Sequence, residues 1–146
     1  MAVKEAKLAE NKIKPTAKDV LVYIQGIEEP QKLEDSLVLL NLLKEISKTE
    51  PVLWSNSFIG FGTKIHKSVA SGRLSEWMRI GFAARKGNLT LYFGTYINEL
   101  GNSLEKLGKY KSGMGCLYIK KLSYVNMDVL KELYIAAWKN ELGSNY

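Results

Sequence analysis

Apolar residues recur with a helical period in the first third of the chain and with a period of two in the middle, and that switch predicts the architecture. Between residues 31 and 48, Leu33, Leu37, Val38, Leu39, Leu40, Leu42, Leu43 and Ile46 cover well over half of a helical wheel, leaving Glu34, Asn41, Lys44, Glu45 and Lys48 on the remaining arc. A helix so broadly apolar needs cover on two sides, from a sheet and from a second helix. Upstream, Thr16 and Asp19 have the spacing of a capping box with Asp in place of Glu. They predict a short helix through Val20, Leu21, Ile24 and Ile27, closed by Gly26 and Pro30.

After Pro51 the strands begin. Phe58-Ile59-Gly60-Phe61-Gly62 reads as a glycine-containing strand, and Glu76 to Ala84 alternates strictly. Arg85-Lys86-Gly87-Asn88 is a hairpin turn, and its return strand sets Leu89, Leu91 and Phe93 on one side, Thr90 and Tyr92 on the other. Ile97 to Leu107 reads as a helix closed by Gly108, followed by a basic, glycine-rich loop from Lys109 to Gly115. Cys116 to Lys120 is the next strand. Asn126 caps a last helix carrying Val129, Leu130, Leu133 and Ala137 on one stripe, with Gly143 at its end.

The order α-α-β-β-β-α-β-α is that of an α+β fold with a mainly antiparallel sheet and helices packed on one face. Its 146 residues suit one domain over 16–142, with a tail or frayed helix over 1–15 and a short tail over 143–146. Alternation places Met78, Ile80, Phe82, Leu89, Leu91, Phe93, Leu117 and Ile119 beneath the helices. The opposite face then shows Trp77, Arg79, Thr90, Tyr92, Tyr118 and Lys120, an assignment that a one-residue slip would invert.

Charge sharpens this picture. The net charge is +6, yet residues 58–121 hold eleven basic groups against three acidic ones (Glu76, Glu99, Glu105), so the flanks are net acidic. A positive face in the middle of the chain attracts phosphates and carboxylates. The candidate ligand-binding residues are accordingly Arg73, Trp77, Arg79, Arg85, Lys86, Tyr92, Lys109, Lys111, Tyr118 and Lys120. They suit a small anionic ligand or an acidic protein partner; single-stranded nucleic acid, stacked on the rings, is the alternative. The same rings and arginines also fit a homodimer interface, so monomer and homodimer both stay open.

Other chemistry has little support. His66 and Cys116 are single, too few for a transition-metal site without carboxylates, and the acidic pairs Glu28-Glu29 and Glu34-Asp35 sit near a helix start. Cys116 opens a strand and reads as packed; His66, beside Lys64 and Lys67, reads as a loop residue. Gly108 to Gly115 fails the P-loop pattern and runs from helix to strand, leaving a nest of backbone N–H groups or a plain turn. One histidine in a basic stretch supports no Ser-His-Asp triad, so no catalytic residue is assigned. A lone cysteine, a mixed-charge N-terminus and no long apolar run read as a cytoplasmic protein without a membrane segment.

Several of these segments carry a resemblance. Gly60-Phe61-Gly62, Ala70-Ser71-Gly72-Arg73, Trp77, Gly81-Phe82, Arg85 to Tyr92, Leu107 to Gly113 and Cys116 to Lys120 recur in an order that resembles the YdhG-like family of domains of unknown function. The likeness covers roughly residues 16–138. It implies an α+β fold with a mainly antiparallel sheet, and one branch of the family is described as a frataxin-like iron chaperone. At Lys64-Ile65-His66-Lys67-Ser68 the chain departs from the family, whose members typically carry a run of tyrosines and a histidine there.

Overall fold

The computed structural model describes residues 14–67 and 70–139, with the side chain of His66 outside the description. It is an α+β fold: six strands form one antiparallel sheet in the order β1-β2-β3-β4-β6-β5, and three α-helices share a core with it. Helix α1 spans Val20–Gln25 and α2 spans Pro30–Ser47. Strands β1 (Val52–Trp54), β2 (Phe58–Lys67), β3 (Leu74–Arg85) and β4 (Asn88–Tyr92) follow as a meander. Strands β5 (Lys111–Ser112) and β6 (Cys116–Ile119) and helix α3 (Met127–Trp138) complete the chain.

Several local expectations need correction. Asp19, not Thr16, caps α1: its carboxylate accepts from the Val22 N–H at 3.1 Å, whereas the Thr16 hydroxyl donates to the Leu53 carbonyl at 2.7 Å. That bond, with a bridge from Pro15 to Trp54, lays residues 14–16 along the outer side of β1. The expected helix from Ile97 to Leu107 is two 3-10 segments, Ile97–Glu99 and Gly101–Lys106, because Gly101 takes φ +73 and breaks the run. Helix α3 ends at Trp138, ahead of the expected stop at Gly143, which lies outside the described residues along with 1–13. His66, expected as a loop residue, lies in β2, which runs on to Lys67, and is paired to Ser75.

The main core lies between the helices and one face of the sheet. Val20 and Ile24 of α1, Leu39 and Leu43 of α2 and Leu130, Leu133 and Tyr134 of α3 meet Ile59, Phe61, Ile80, Phe82, Leu89, Leu91, Leu117 and Ile119. Burial of this apolar surface is the main stabilising term. Helix α2 is covered by the sheet and by α3; on that side Lys32 and Asp35 are bonded, while the buried Ser36 hydroxyl has no partner among the described residues. Lys32 pairs with Glu29 at 2.9 Å and donates to the Arg85 carbonyl, tying the helix start to the end of β3. Asp35, 4% exposed, accepts from Gln31 at 2.9 Å and from the backbone N–H of Leu122 at 3.1 Å.

Strict alternation fails at one place. Ile80, Phe82, Leu89, Leu91, Phe93, Leu117 and Ile119 lie in the main core as expected, but Met78 does not. It belongs to a second cluster on the opposite face with Trp54, Phe58 and Ala83, edged by Val52, Trp77 and Tyr92. Gly60 and Gly81 pair across β2 and β3 and leave a gap on that face. The Met78 thioether fills it: a Cβ at Gly60 would stand 2.8 Å from Met78 Sδ, and one at Gly81 2.6 Å. Trp77 and Met78 therefore both pack on the aromatic face, while Arg79 and Ile80 both turn to the helices. Gly62 takes φ +68, and a Cβ there would stand 2.7 Å from the Trp138 ring and 3.2 Å from Arg79 Cδ.

Candidate anion-binding cleft

The end of the sheet nearest the β3–β4 turn opens into a cleft of about 300 Å³. Strands β5 and β6 pair through Lys111↔Tyr118 and Ser112↔Leu117. Beyond Lys111 the ladder is not continued. The chain is instead held to the segment before α3, with the Lys109 N–H donating to the Tyr124 carbonyl at 3.1 Å and Gly108 bridging Val125. Gly108 has φ +122, and a Cβ there would stand 2.4 Å from the Tyr124 carbonyl oxygen, so the close approach requires glycine. The two strands splay, and the gap between them is the cleft.

The cleft is lined by Lys109, Tyr110, Lys111, Tyr118, Lys120 and Tyr124, together with Gly87, Asn88 and Ile119. No carboxylate is among them. Lys109 and Lys121 each hold their Nζ 5.0 Å from the centroid of the Tyr124 ring, and of the two only Lys109 lines the cleft. Across the ladder from Lys111, Tyr118 is 37% exposed. Its hydroxyl end is confined: a Cβ at Gly113 would lie 2.9 Å from Tyr118 Oη and 3.2 Å from Cys116 Sγ. The hydrogen bond with Cys116 is the first cause raising the Tyr118 pKa above its usual value.

Of the ten residues expected to bind ligand, four meet here: Lys109, Lys111, Tyr118 and Lys120. Lys86 is exposed in the turn beside Gly87, whose φ of +87 suits that turn. Arg85 lies over the Phe58 ring, Cζ 4.6 Å from its centroid, and within hydrogen-bonding reach of the Tyr92 hydroxyl. Burial raises the Tyr92 pKa, and Arg85 partly offsets the effect.

The remaining three lie elsewhere. Arg73 is exposed ahead of β3, at the opposite end of that strand from the cleft. Trp77 is not an open stacking surface. It packs edge-to-face with Trp54, Phe58 and Tyr92 at centroid distances of 5.5, 5.9 and 5.8 Å, and Tyr92 is half-buried in the same group. Arg79 is not on the open face at all: it reaches under α3, stacks on Trp138 and donates to the Trp138 carbonyl. On that side Lys64 donates to the Gly94 carbonyl at 2.7 Å, with a pKa lowered by burial and by nearby Arg79.

Tyr110 and Tyr124 join the site without having been assigned to it. Tyr110 stands between two site lysines, so sequence proximity pointed to it. Tyr124 is brought in only by the bond to Lys109. The glycine-rich segment is the turn of the β5–β6 hairpin, with the Gly113 N–H donating to the Cys116 carbonyl at 2.9 Å, and not a nest of free N–H groups. Among the described residues, no three His, Cys, Asp or Glu side chains group so as to hold a metal ion, and no helix is long and apolar enough to cross a membrane. No family model, curated protein or solved structure matches the chain.

Proposed function

We propose that this domain is a binding or carrier module that holds a small anionic ligand in the splayed cleft between β5 and β6. The observation that carries the reading is the lining itself: three lysines and three tyrosines converge there, and none of the nine lining residues is acidic. Cations beside apolar rings attract an anion that also has an apolar part. An acidic segment of a partner protein is the macromolecular form of the same ligand chemistry. Membership in the YdhG-like group is part of the proposal, supported by the α+β order and the antiparallel sheet that the resemblance implies. A cytoplasmic location is also part of it, supported by the lone cysteine, which leaves no internal disulfide.

The test is a thermal-shift series with sodium tripolyphosphate and citrate at low and high salt. Binding raises the melting temperature by mass action, and screening weakens the rise. The variant Lys109→Ala/Lys111→Ala should lose the shift. A shift of unchanged size in that variant would place the site elsewhere.

A further inference from the structure

We infer that the cleft selects a flat ring bearing several phosphate charges, the chemistry of a nucleoside di- or triphosphate; the inference rests on the anion-binding reading above. Three observations converge on it. Tyr118 presents a partly open ring while its hydroxyl end is confined between Cys116 and Gly113. A ring already immobilised loses little freedom on stacking, which makes it a good platform for a second ring.

The cations are arranged around that platform and not at random. Lys111 stands directly opposite Tyr118 in the ladder, and Lys120, just past the end of β6, lines the same cleft. Lys109, also in the lining, is held against the Tyr124 ring. A ligand stacked on Tyr118 would have its charged end within the group of three lysines that line the cleft. A single carboxylate would use one of them; a polyphosphate uses them together.

Size agrees with this division. A volume of about 300 Å³ is at the small end for ligand pockets, enough to take a ring, with the phosphates lying along the lysine rim toward solvent. Trp77 and Tyr92 are engaged in their own aromatic packing, so no continuous row of open rings extends across the sheet for a long strand. A free nucleotide fits the surface better than a polymer does.

The test is calorimetric titration at low salt with magnesium-free ATP, with sodium tripolyphosphate, and with a ten-residue oligothymidylate. The expected result is that ATP binds about tenfold more tightly than tripolyphosphate, the contribution of one stacked ring. Tyr118→Leu should remove that difference by weakening ATP alone, Tyr118→Phe should keep it, and Lys109→Ala/Lys111→Ala should weaken both anions. Circular dichroism and melting temperature verify that each variant is folded. Equal affinity of ATP and tripolyphosphate in the unaltered protein, lost in the lysine variant, overturns the ring inference and leaves the anion reading standing. Absence of binding by either anion overturns both. Tighter binding of the oligothymidylate than of ATP, lost in Tyr118→Leu, overturns the free nucleotide in favour of single-stranded nucleic acid.

Discussion

Arg79 lies over the ring of Trp138, its Cζ 4.1 Å from the centroid, and donates to the carbonyl of the same residue. One side chain thus fastens the last turn of α3 to the middle of β3, 59 residues away. It satisfies a carbonyl at a helix C-terminus with a positive charge, the sign that end of the helix dipole favours. Replacement by alanine should lower the unfolding free energy by about 2 kcal/mol, from a charge-assisted hydrogen bond and a cation–π contact. It should leave tripolyphosphate binding unchanged. Denaturant melts and titrations of Arg79→Ala separate the two; a variant of normal stability that no longer bound the anion would return Arg79 to the ligand site.

The glycine pair beneath Met78 makes a second prediction. A Cβ at Gly81 would stand 2.4 Å from the Ile59 carbonyl oxygen as well as 2.6 Å from Met78 Sδ, and the backbone contact cannot yield without opening the β2–β3 ladder. Gly81→Ala should cost about 3 kcal/mol or prevent folding. Gly115→Ala, where a Cβ meets nothing within 4 Å, should stay within about 0.5 kcal/mol of the unaltered protein. Similar midpoints for the two variants in urea would refute the packing explanation of the strand's reversal.

Alkaline pH should weaken the fold through Tyr134. Its hydroxyl donates to the Gly81 carbonyl at 2.9 Å in the main core, and burial drives its pKa well above the usual 10.0. A group whose folded pKa exceeds its unfolded value gives stability that is complete below the unfolded pKa and lost as pH rises beyond it. Stability should therefore fall above about pH 10, where the unfolded chain releases the proton and the folded one retains it. Lys64 acts in the opposite direction: its folded pKa is lowered, so its penalty eases as pH approaches 10.5. In Tyr134→Phe, stability at neutral pH should drop by about 1 kcal/mol and the alkaline decline should flatten. An unchanged slope of unfolding free energy between pH 9 and 11 would assign the decline to other groups.

Asp35 couples α2 to the wall of the cleft. Its carboxylate accepts the backbone N–H of Leu122, two residues before Tyr124, inside a nearly closed environment. Asp35→Ala strands that N–H and should cost about 3 kcal/mol; Asp35→Asn keeps one acceptor oxygen and should cost less. Equal losses in the two variants, measured by chemical denaturation, would show that charge and not the acceptor geometry matters there.

Much of the fold was legible before any coordinates. The breadth of the apolar surface from Leu33 to Ile46 required a helix covered on two sides, and α2 is that helix. Arg85 to Asn88 marked the turn that β3 and β4 now form, and seven of the eight residues assigned beneath the helices lie in the main core. These are local signals: period, turn residues and caps act within a few positions of one another. Strand β1 is three residues long and β5 two, too short to show a period, and both exist only because a neighbouring strand offers partners. The 3-10 segments likewise share an apolar pattern with an α-helix and differ from it at Gly101, whose positive φ the pattern does not reveal.

Composition and periodicity by themselves determined an α+β chain with a helix-covered sheet and a cationic centre, since those depend on counts and on spacing along the backbone. Tertiary structure alone decided which cations act together. It sent Arg79 to Trp138 and Met78 onto the Gly60–Gly81 pair, and it brought Tyr124 to Lys109 across the end of the sheet. The reason is that side-chain direction at a twisted, glycine-bearing stretch of ladder is set by the shape of the partner strand, and no periodicity within one strand carries that information.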